Sequence, residues 1–397
     1  MTTVEEAEKL ILAQKRDYGT ESLPFEQTLG RVLAEDIKTD RDLPPFNRVT
    51  MDGVAINYQA IQNGIHTFHI KATQAAGDEP VAINGLDECV EIMTGAVLPA
   101  SANTVIRYED VEIRAGKAII QVQDIKYGQN LHLQGVDKKQ GDVLASLGRM
   151  ITPAIISLAA SVGKTHLLVK KMPRVVIISS GDELVDVHQI PSPYQIRKSN
   201  SYTMRAVLKQ HALAADILHI PDDPEITRQQ IQQCLQNYDV LLLSGGISMG
   251  KFDYIPQALE DLQVQKIFHK VAQRPGKPFW FGGHQNGTIV FAFPGNPVAT
   301  FMCLHRYFLT WLRSVLGLAE QLPVYAVLNK DFQFQPALKY YLQVKLSSNQ
   351  QGQLMASPVE GNGSGDFANL ADTDAFLELP LERSDFKKGE VFRVLVF

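Results

Sequence analysis

The chain is predicted to be a multidomain α/β protein, and three patterns in its 397 residues carry that prediction. Between Arg174 and Leu316 short apolar runs alternate with helical stretches, as in a doubly wound sheet with helices on both faces. Two of those runs, Val175–Ser179 and Val240–Leu243, end abruptly in Ser/Gly turns. Buried parallel strands end that way where they run out into ligand loops. On either side of this region, residues 51–131 and the tail after Leu322-Pro323 read as short β-prone runs separated by turns. The expected architecture is therefore a doubly wound α/β domain with an elongated helical domain, a small β-rich domain and a C-terminal β-barrel or sandwich.

Each element follows from its residues. Residues 3–15 place Val4, Ala7, Leu10 and Ile11 on one side of an amphipathic helix. Pro44-Pro45 then prevents a helix or central strand from continuing. His66–Ile70, Glu88–Met93, Thr104–Tyr108 and Ala118–Val122 read as strands of the β-rich unit, and Leu144–Val162 reads as helical again. In the α/β region, strands are expected at Val175–Ser179, Asp216–Ile220, Val240–Leu243, Val264–Lys270, Pro278–Phe281 and Thr288–Phe293. Helices are expected at Ser201–His211, Pro224–Asn237, Tyr254–Leu262 and Pro297–Leu316, the last with apolar residues at the 3.6-residue period. Pro323–Leu328, Tyr340–Leu346 and Val391–Val396 are strands of the tail. The expected boundaries are 1–43 with 140–172 for a discontinuous helical, dimerising domain, 44–139 for the inserted β-rich domain, 173–319 for the α/β domain and 320–397 for the barrel.

Bulk properties exclude several classes. A composition of 45% hydrophobic and 20% charged residues is that of a globular protein, and a net charge of −5 provides no footprint for nucleic acid. No segment approaches the ~20 apolar residues of a membrane-spanning helix. The acidic start, Thr-Val-Glu-Glu-Ala-Glu, is unlike a signal peptide. Cys89, Cys234 and Cys303 lie far apart without zinc-type spacing, which suits a reducing, cytoplasmic compartment. None of the ten histidines falls in a metal-ligand pattern, so they are assigned to core and surface.

The chemistry concentrates in loops. In Ser244-Gly-Gly-Ile-Ser-Met-Gly-Lys-Phe-Asp253, Gly245, Gly246 and Gly250 let the backbone approach a phosphate, while Ser244 and Ser248 can donate hydrogen bonds to it. Asp253 adds a carboxylate suited to Mg²⁺. Ser179-Ser-Gly-Asp-Glu183 is a similar turn with two acids, and Arg274-Pro-Gly-Lys277 supplies two cations. Pro294-Gly-Asn-Pro297 ends a third strand and opens a helix. An ordinary βα connection accounts for any one of these loops, but several polar, charged loops on one sheet edge point to a shared site. Asp182, Glu183, Asp222 and Asp223 are equally suited to helix capping. Ser161-Val-Gly-Lys-Thr165 has the end of a P-loop, but Leu158 occupies the place of its first glycine, which argues against P-loop hydrolysis.

Taken in order, these segments resemble the molybdopterin molybdenumtransferase family, relatives of the C-terminal region of gephyrin. The matching segments are Pro44-Pro-Phe-Asn-Arg-Val-Thr-Met-Asp-Gly53, Ile92-Met-Thr-Gly-Ala-Val-Leu-Pro99, Gln134-Gly-Val-Asp137, Ser179–Leu184, Asp222-Asp-Pro224, Ser244–Asp253, Pro275-Gly-Lys-Pro278 and Pro294–Pro297. The resemblance implies four domains, the last a β-barrel, and homodimers whose active sites lie between the α/β domain of one subunit and the β-rich domain of the other. It implies adenylylated molybdopterin and molybdate as substrates, molybdenum cofactor and AMP as products, and Mg²⁺ as the required ion. Contact with the adenylyltransferase of the same pathway is a further implied partnership. Catalytic positions carried over are Asp52, Thr94, Asp137, Glu183 and Asp253, with Glu183 and Asp253 holding the metal. Substrate-binding positions are Ser179, Gly181, Asp223, Ser244, Gly245, Gly246, Ser248, Gly250, Arg274, Lys277, Pro294, Gly295, Asn296 and Pro297.

Four departures stand out. Asn47-Arg48 takes the place of an acidic residue and an asparagine, Gln134 that of an arginine, Lys198 that of an aspartate, and Arg274 that of a lysine. Arg48 is placed to offset the charge lost at Gln134 if its loop covers the cleft, with a solvated loop arginine as the ordinary alternative. An alternative reading is a catalytically weakened paralogue that acts as a pterin-binding or scaffold protein. An adenylyltransferase-like enzyme is disfavoured because it would lack the Met-Asp-Gly region and the β-tail.

Overall fold

The computed structural model describes residues 1–246, 254–359 and 367–397. They form two compact units, one of Met1–Glu35, Leu147–Ile156 and His166–Phe397, the other of Asp36–Ser146 and Ser157–Thr165.

The first unit contains the α/β layer. Its six strands lie in the order Ala215–Ile220, Val175–Ser180, Val240–Ser244, Ile289–Phe293, Trp280–Gly283, Gln265–His269. The first four run parallel, and the pairings of Trp280–Gly283 with its two neighbours are antiparallel, so the sheet is mixed. Successive side chains of the central strands feed opposite faces, as the period of two requires. Val175, Ile177, Val240 and Leu242 join Phe281, Phe291, Phe293, Tyr307 and Trp311 on one face. Val176, Ile178, Leu241 and Leu243 join Ile231, Cys234 and Leu259 on the other. Near-continuous apolar runs in the sequence are the consequence of that two-sided burial.

Helices occur at Asn200–Gln210, Pro224–Asn237 and Ile255–Asp261, close to expectation. The helix expected over 297–316 is not uniform. Pro297–Cys303 gives way to a π turn at Leu304–Phe308 before Leu309–Val315 resumes the α form. That turn carries Arg306, buried to 3% exposure, whose guanidinium makes paired hydrogen bonds of 2.8 and 2.7 Å to Glu8. Glu8 lies on the helix Val4–Leu12, which Thr3 and Glu6 close with a reciprocal capping box. This helix is shorter than the expected 3–15, and Leu10 is exposed while Val4, Ala7 and Ile11 are buried.

The tail is a closed barrel. Lys339–Ser348 pairs with both Leu354–Pro358 and Ala375–Leu379, and Val324–Leu328 and Val391–Val396 complete the five-stranded ring. Closure removes the free edges a sandwich would leave.

The second unit is built on a six-stranded sheet in the order Thr104–Arg107, Gly53–Ile56, Glu88–Ile92, Thr67–Gln74, Lys117–Ile120, Val111–Arg114. The helix expected over 144–162 is overturned in its first half, where Val143–Ala145 is a strand paired with Ile37–Lys38. The helix starts only at Pro153, whose fixed φ suits the first helical position. Among the described residues no helix is long and apolar enough to cross a membrane.

Candidate active-site clusters

In the α/β layer the four parallel strands end on one edge. The 270–279 connection also lies there, because antiparallel Trp280–Gly283 begins opposite Ala292 while Gln265–His269 ends opposite Trp280. Ser179, Glu183, Ser244, Gly245, Gly295 and Pro297 line one cleft at this edge, together with Arg197, Lys198, Asn200 and Ser201.

Asn200 holds the cleft together. Its Nδ2 group donates to Ser244 Oγ at 2.7 Å and to the Gly295 carbonyl at 2.9 Å, with Thr300 Oγ1 at 3.4 Å. One side chain thereby joins a helix start, the end of Val240–Ser244 and the Pro294–Pro297 turn. The turn is fixed from its other side, where Asn296 caps the next helix through Ala299 N–H at 3.1 Å and Pro297 occupies the first turn. Gly181 and Gly246 have positive φ, and side chains there would collide with the Glu183 carboxylate and with Ser180 Oγ, respectively. Glycine is required at both positions for the turns to close this tightly.

The helix Asn200–Gln210 begins in the cleft with no side-chain cap. Ser201, 1% exposed and also lining the cleft, has a hydroxyl without a hydrogen-bond partner. Lys198 is 12% exposed and lies 4.0 Å from Asp186, whose carboxyl is held below the usual range by the Tyr202 hydroxyl at 2.9 Å. Uncapped amides, a buried hydroxyl and two basic side chains give the cleft the character of an anion site. Ser179 Oγ sits 3.2 Å from His219 Nδ1, and burial, followed by the Lys198 charge, lowers the pKa of that imidazole.

The other residues predicted for this unit have more local roles. Asp223 caps the helix Pro224–Asn237 by accepting from Ile226 N–H at 2.8 Å, and Asp182 and Asp222 each accept from the other's backbone N–H. Arg274 and Lys277 are exposed on the 270–279 connection and do not line the cleft, and the Arg274 guanidinium lies 5.8 Å from the Phe334 ring centre. Glu183 is exposed, and its carboxylate overhangs Gly181. Ser248, Gly250 and Asp253 lie outside the described residues, and among those described no cluster of three or more His, Cys, Asp or Glu side chains is arranged to hold a metal.

A second cluster lies in the other unit, where three segments distant in sequence are hydrogen-bonded together. Val49 N–H donates to Ala96 O, Gly95 N–H donates to Val49 O, and Leu131–His132 pairs antiparallel with Arg48–Val49. Asp52 Oδ1 accepts from both the backbone N–H and the hydroxyl of Thr94, each at 2.7 Å, and these two donors, the N–H first, lower its pKa. Gly53 is dictated by the sheet, since a side chain there would run into the Ile106 carbonyl. Asp137 Oδ1 lies 2.9 Å from His132 Nε2, and Arg48 lies 3.1 Å from Nδ1 of the same ring. Gln134 is occupied by its neighbours, its N–H donating to Asn47 and its side chain to Asp42. Asp52, Thr94 and Asp137 thus fall within one polar, exposed cluster. Asn200, Ser201 and His132 were not singled out in the sequence. Asn200 lies two positions after the noted Lys198, and nothing local marks His132.

Comparison with known proteins identifies the family. Residues 2–163 match the family model described as MoeA N-terminal region (domain I and II), 176–314 the probable molybdopterin binding domain, and 325–397 the MoeA C-terminal region (domain IV). A molybdopterin molybdenumtransferase of Synechocystis is 39% identical over 395 residues, covering 99% of each chain. The enzyme of that name from Bacillus subtilis is 30% identical, covering 99% of this chain and 93% of its own. The crystal structure of a molybdopterin biosynthesis MoeA protein from Pyrococcus horikoshii superposes with a TM-score of 0.83 at 27% identity, covering 100% of this chain and 99% of that one. With nearly its full length matched by these three family models and by relatives at 39% and 30% identity, the chain belongs to the molybdopterin molybdenumtransferase family.

Proposed function

We propose that the protein inserts molybdate into adenylylated molybdopterin, releasing AMP and forming molybdenum cofactor. The observation that carries this reading is the cleft at the sheet edge, where the unpartnered Ser201 hydroxyl and an uncapped helix start face the same space as Lys198 and Arg197. Such a site suits a phosphorylated substrate, with backbone amides and fixed cations meeting its negative oxygens. Ser179, Ser244, Gly245, Gly295 and Pro297 line the walls, and Gly181, Gly246, Pro294 and Asn296 belong to the turns that carry them. The weakened-paralogue reading is not favoured, because full-length relatives carry the name of the active enzyme.

A divalent ion fits the donor set. Mg²⁺ takes one or two carboxylates and completes its shell with waters and substrate phosphate. Glu183, overhanging Gly181, would be one holder and Asp253 the other, and the bound ion would neutralise charge on the phosphoanhydride. Asp52, fixed as a carboxylate by Thr94, and Asp137 would act from the second unit, supplied by the partner subunit of a homodimer. Arg274, Lys277 and Asp223 would contribute to substrate binding from outside the cleft. We place the protein in the cytoplasm, in contact with the adenylyltransferase that makes its substrate.

Purified protein supplied with adenylylated molybdopterin, molybdate and Mg²⁺ should release AMP, and its gene should restore molybdoenzyme activity to cells lacking the insertion enzyme. Failure of both would overturn the reading. Mixing Asp52→Ala with Glu183→Ala subunits should recover part of the activity through hybrid dimers. No recovery from two folded variants would refute the shared site.

A further inference from the structure

Arg48, His132 and Asp137 form a chain of contacts in which the proposed chemistry gives a part to Asp137 alone. The strand pairing of Arg48–Val49 with Leu131–His132 sets a guanidinium nitrogen 3.1 Å from His132 Nδ1, and the loop that follows returns Asp137 Oδ1 to within 2.9 Å of Nε2. A guanidinium only donates, so Nδ1 must be the bare, accepting nitrogen and the ring proton must sit on Nε2, facing the carboxylate. The contacts hold together only with an uncharged ring. Arg48 spends one of its five N–H groups on this bond and remains exposed.

The other charged groups on the surrounding segments are Asp42 and Lys139, 3.8 Å apart, Lys138, and Asp52, which Thr94 holds. Arg48 is thus the cation of this cluster that a side-chain bond aims without neutralising its charge. Gln134, the loop residue whose family counterpart is cationic, has no charge to offer.

We propose that His132 is a positioning residue, which fixes Arg48 as a binding group for a small tetrahedral dianion while Asp137 holds the ring in the required tautomer. The proposal deepens the transferase reading and rests on it, with molybdate as the dianion.

The test combines kinetics with spectroscopy. Nitrogen NMR of imidazole-labelled protein should report the Nε2–H tautomer of His132 at pH 8. His132→Ala should raise the half-saturating molybdate concentration for AMP release about tenfold at pH 7.5, the effect of losing about one directed hydrogen bond, with kcat within about twofold. His132→Gln, which can both accept and donate, should restore it to within about threefold. An Nδ1–H tautomer, or unchanged molybdate dependence in folded His132→Ala, overturns the proposal. Should the wild type release no AMP, the transferase reading fails separately. Calorimetric titration of wild type and His132→Ala with molybdate at pH 7.5 then decides, equal affinities refuting the proposal.

Discussion

Replacing Asn200 tests whether one amide group holds the cleft in shape. Its Nδ2 group bonds Ser244 Oγ at 2.7 Å and the Gly295 carbonyl at 2.9 Å, while the 3.4 Å approach to Thr300 adds little because that hydroxyl already donates to Pro294 O at 2.6 Å. Ser244 is 3% exposed, so losing its donor costs about 1–2 kcal/mol for a buried oxygen left short of a partner. Gly295 is exposed, and water replaces the amide there at a cost of a few tenths. Asn200→Ala should therefore destabilise this unit by about 2 kcal/mol. Asn200→Asp keeps the shape but puts a charged oxygen that can only accept where Nδ2 donated to the Gly295 carbonyl, and it should cost more than alanine. The chain's two tryptophans, Trp280 and Trp311, are both buried in the α/β layer, so fluorescence-detected urea unfolding reports on it directly. Aspartate milder than alanine, or both variants within about 0.5 kcal/mol of the parent, would refute the argument that donation rather than volume is what matters.

Glu8→Gln should destabilise the protein by about 2 kcal/mol in urea unfolding, because it strips the paired bonds from an Arg306 side chain that is only 4% exposed. Burial raises the Glu8 pKa, but the Arg306 bonds more than offset this and leave it below its ordinary 4.5. The pair's contribution is therefore present above about pH 4.5 and lost as pH falls through the folded value, a loss absent from the glutamine variant. His305, 8% exposed with Nε2 unpartnered, is pushed down to about 4 by burial, so the unfolded chain takes up this proton first. Its contribution should be complete above about pH 6.5 and fall by on the order of 3 kcal/mol as pH approaches 4. His305→Phe should flatten that slope in unfolding measured from pH 7 to 4. Gly53→Ala should be the most damaging small change in the second unit, with a circular-dichroism melt lowered or lost, since the added methyl meets backbone rather than a movable side chain.

Much of the fold was legible because its signals are local. Pro224–Asn237 was predicted residue for residue, since Asp223 and Pro224 mark its start and the apolar period continues to its end. Strands buried on both faces announce themselves as unbroken apolar runs, as Val240–Ser244 does. Errors arose where packing overrides pattern. Leu144–Val162 is apolar enough for a helix, yet Val143–Ala145 pairs with Ile37–Lys38, more than a hundred residues away. The π turn at Leu304–Phe308 is likewise silent in the apolar period, and it coincides with the Arg306–Glu8 contact made 298 residues apart.

The site divides along the same line between local and distant causes. The glycines and serines of the strand-end turns could be named because backbone approach and capping act within a few residues. Asp223 shows the limit of that reasoning, since a motif acid that caps a helix does so whether or not substrate also binds it. Asp52 and Thr94 could be named as motif members, but no local pattern signals that they bond each other across 42 positions. For His132 there was no signal at all. Its partner Arg48 lies 84 residues earlier, and the two meet only because a two-residue strand pairing sets their register. A shift of either strand by one residue would turn its side chain to the opposite face and separate the pair. Arg48 is therefore best read through its strand register rather than its loop. The departure from the family pattern at this position supplies a cation, and the histidine across the strand gives it a fixed direction.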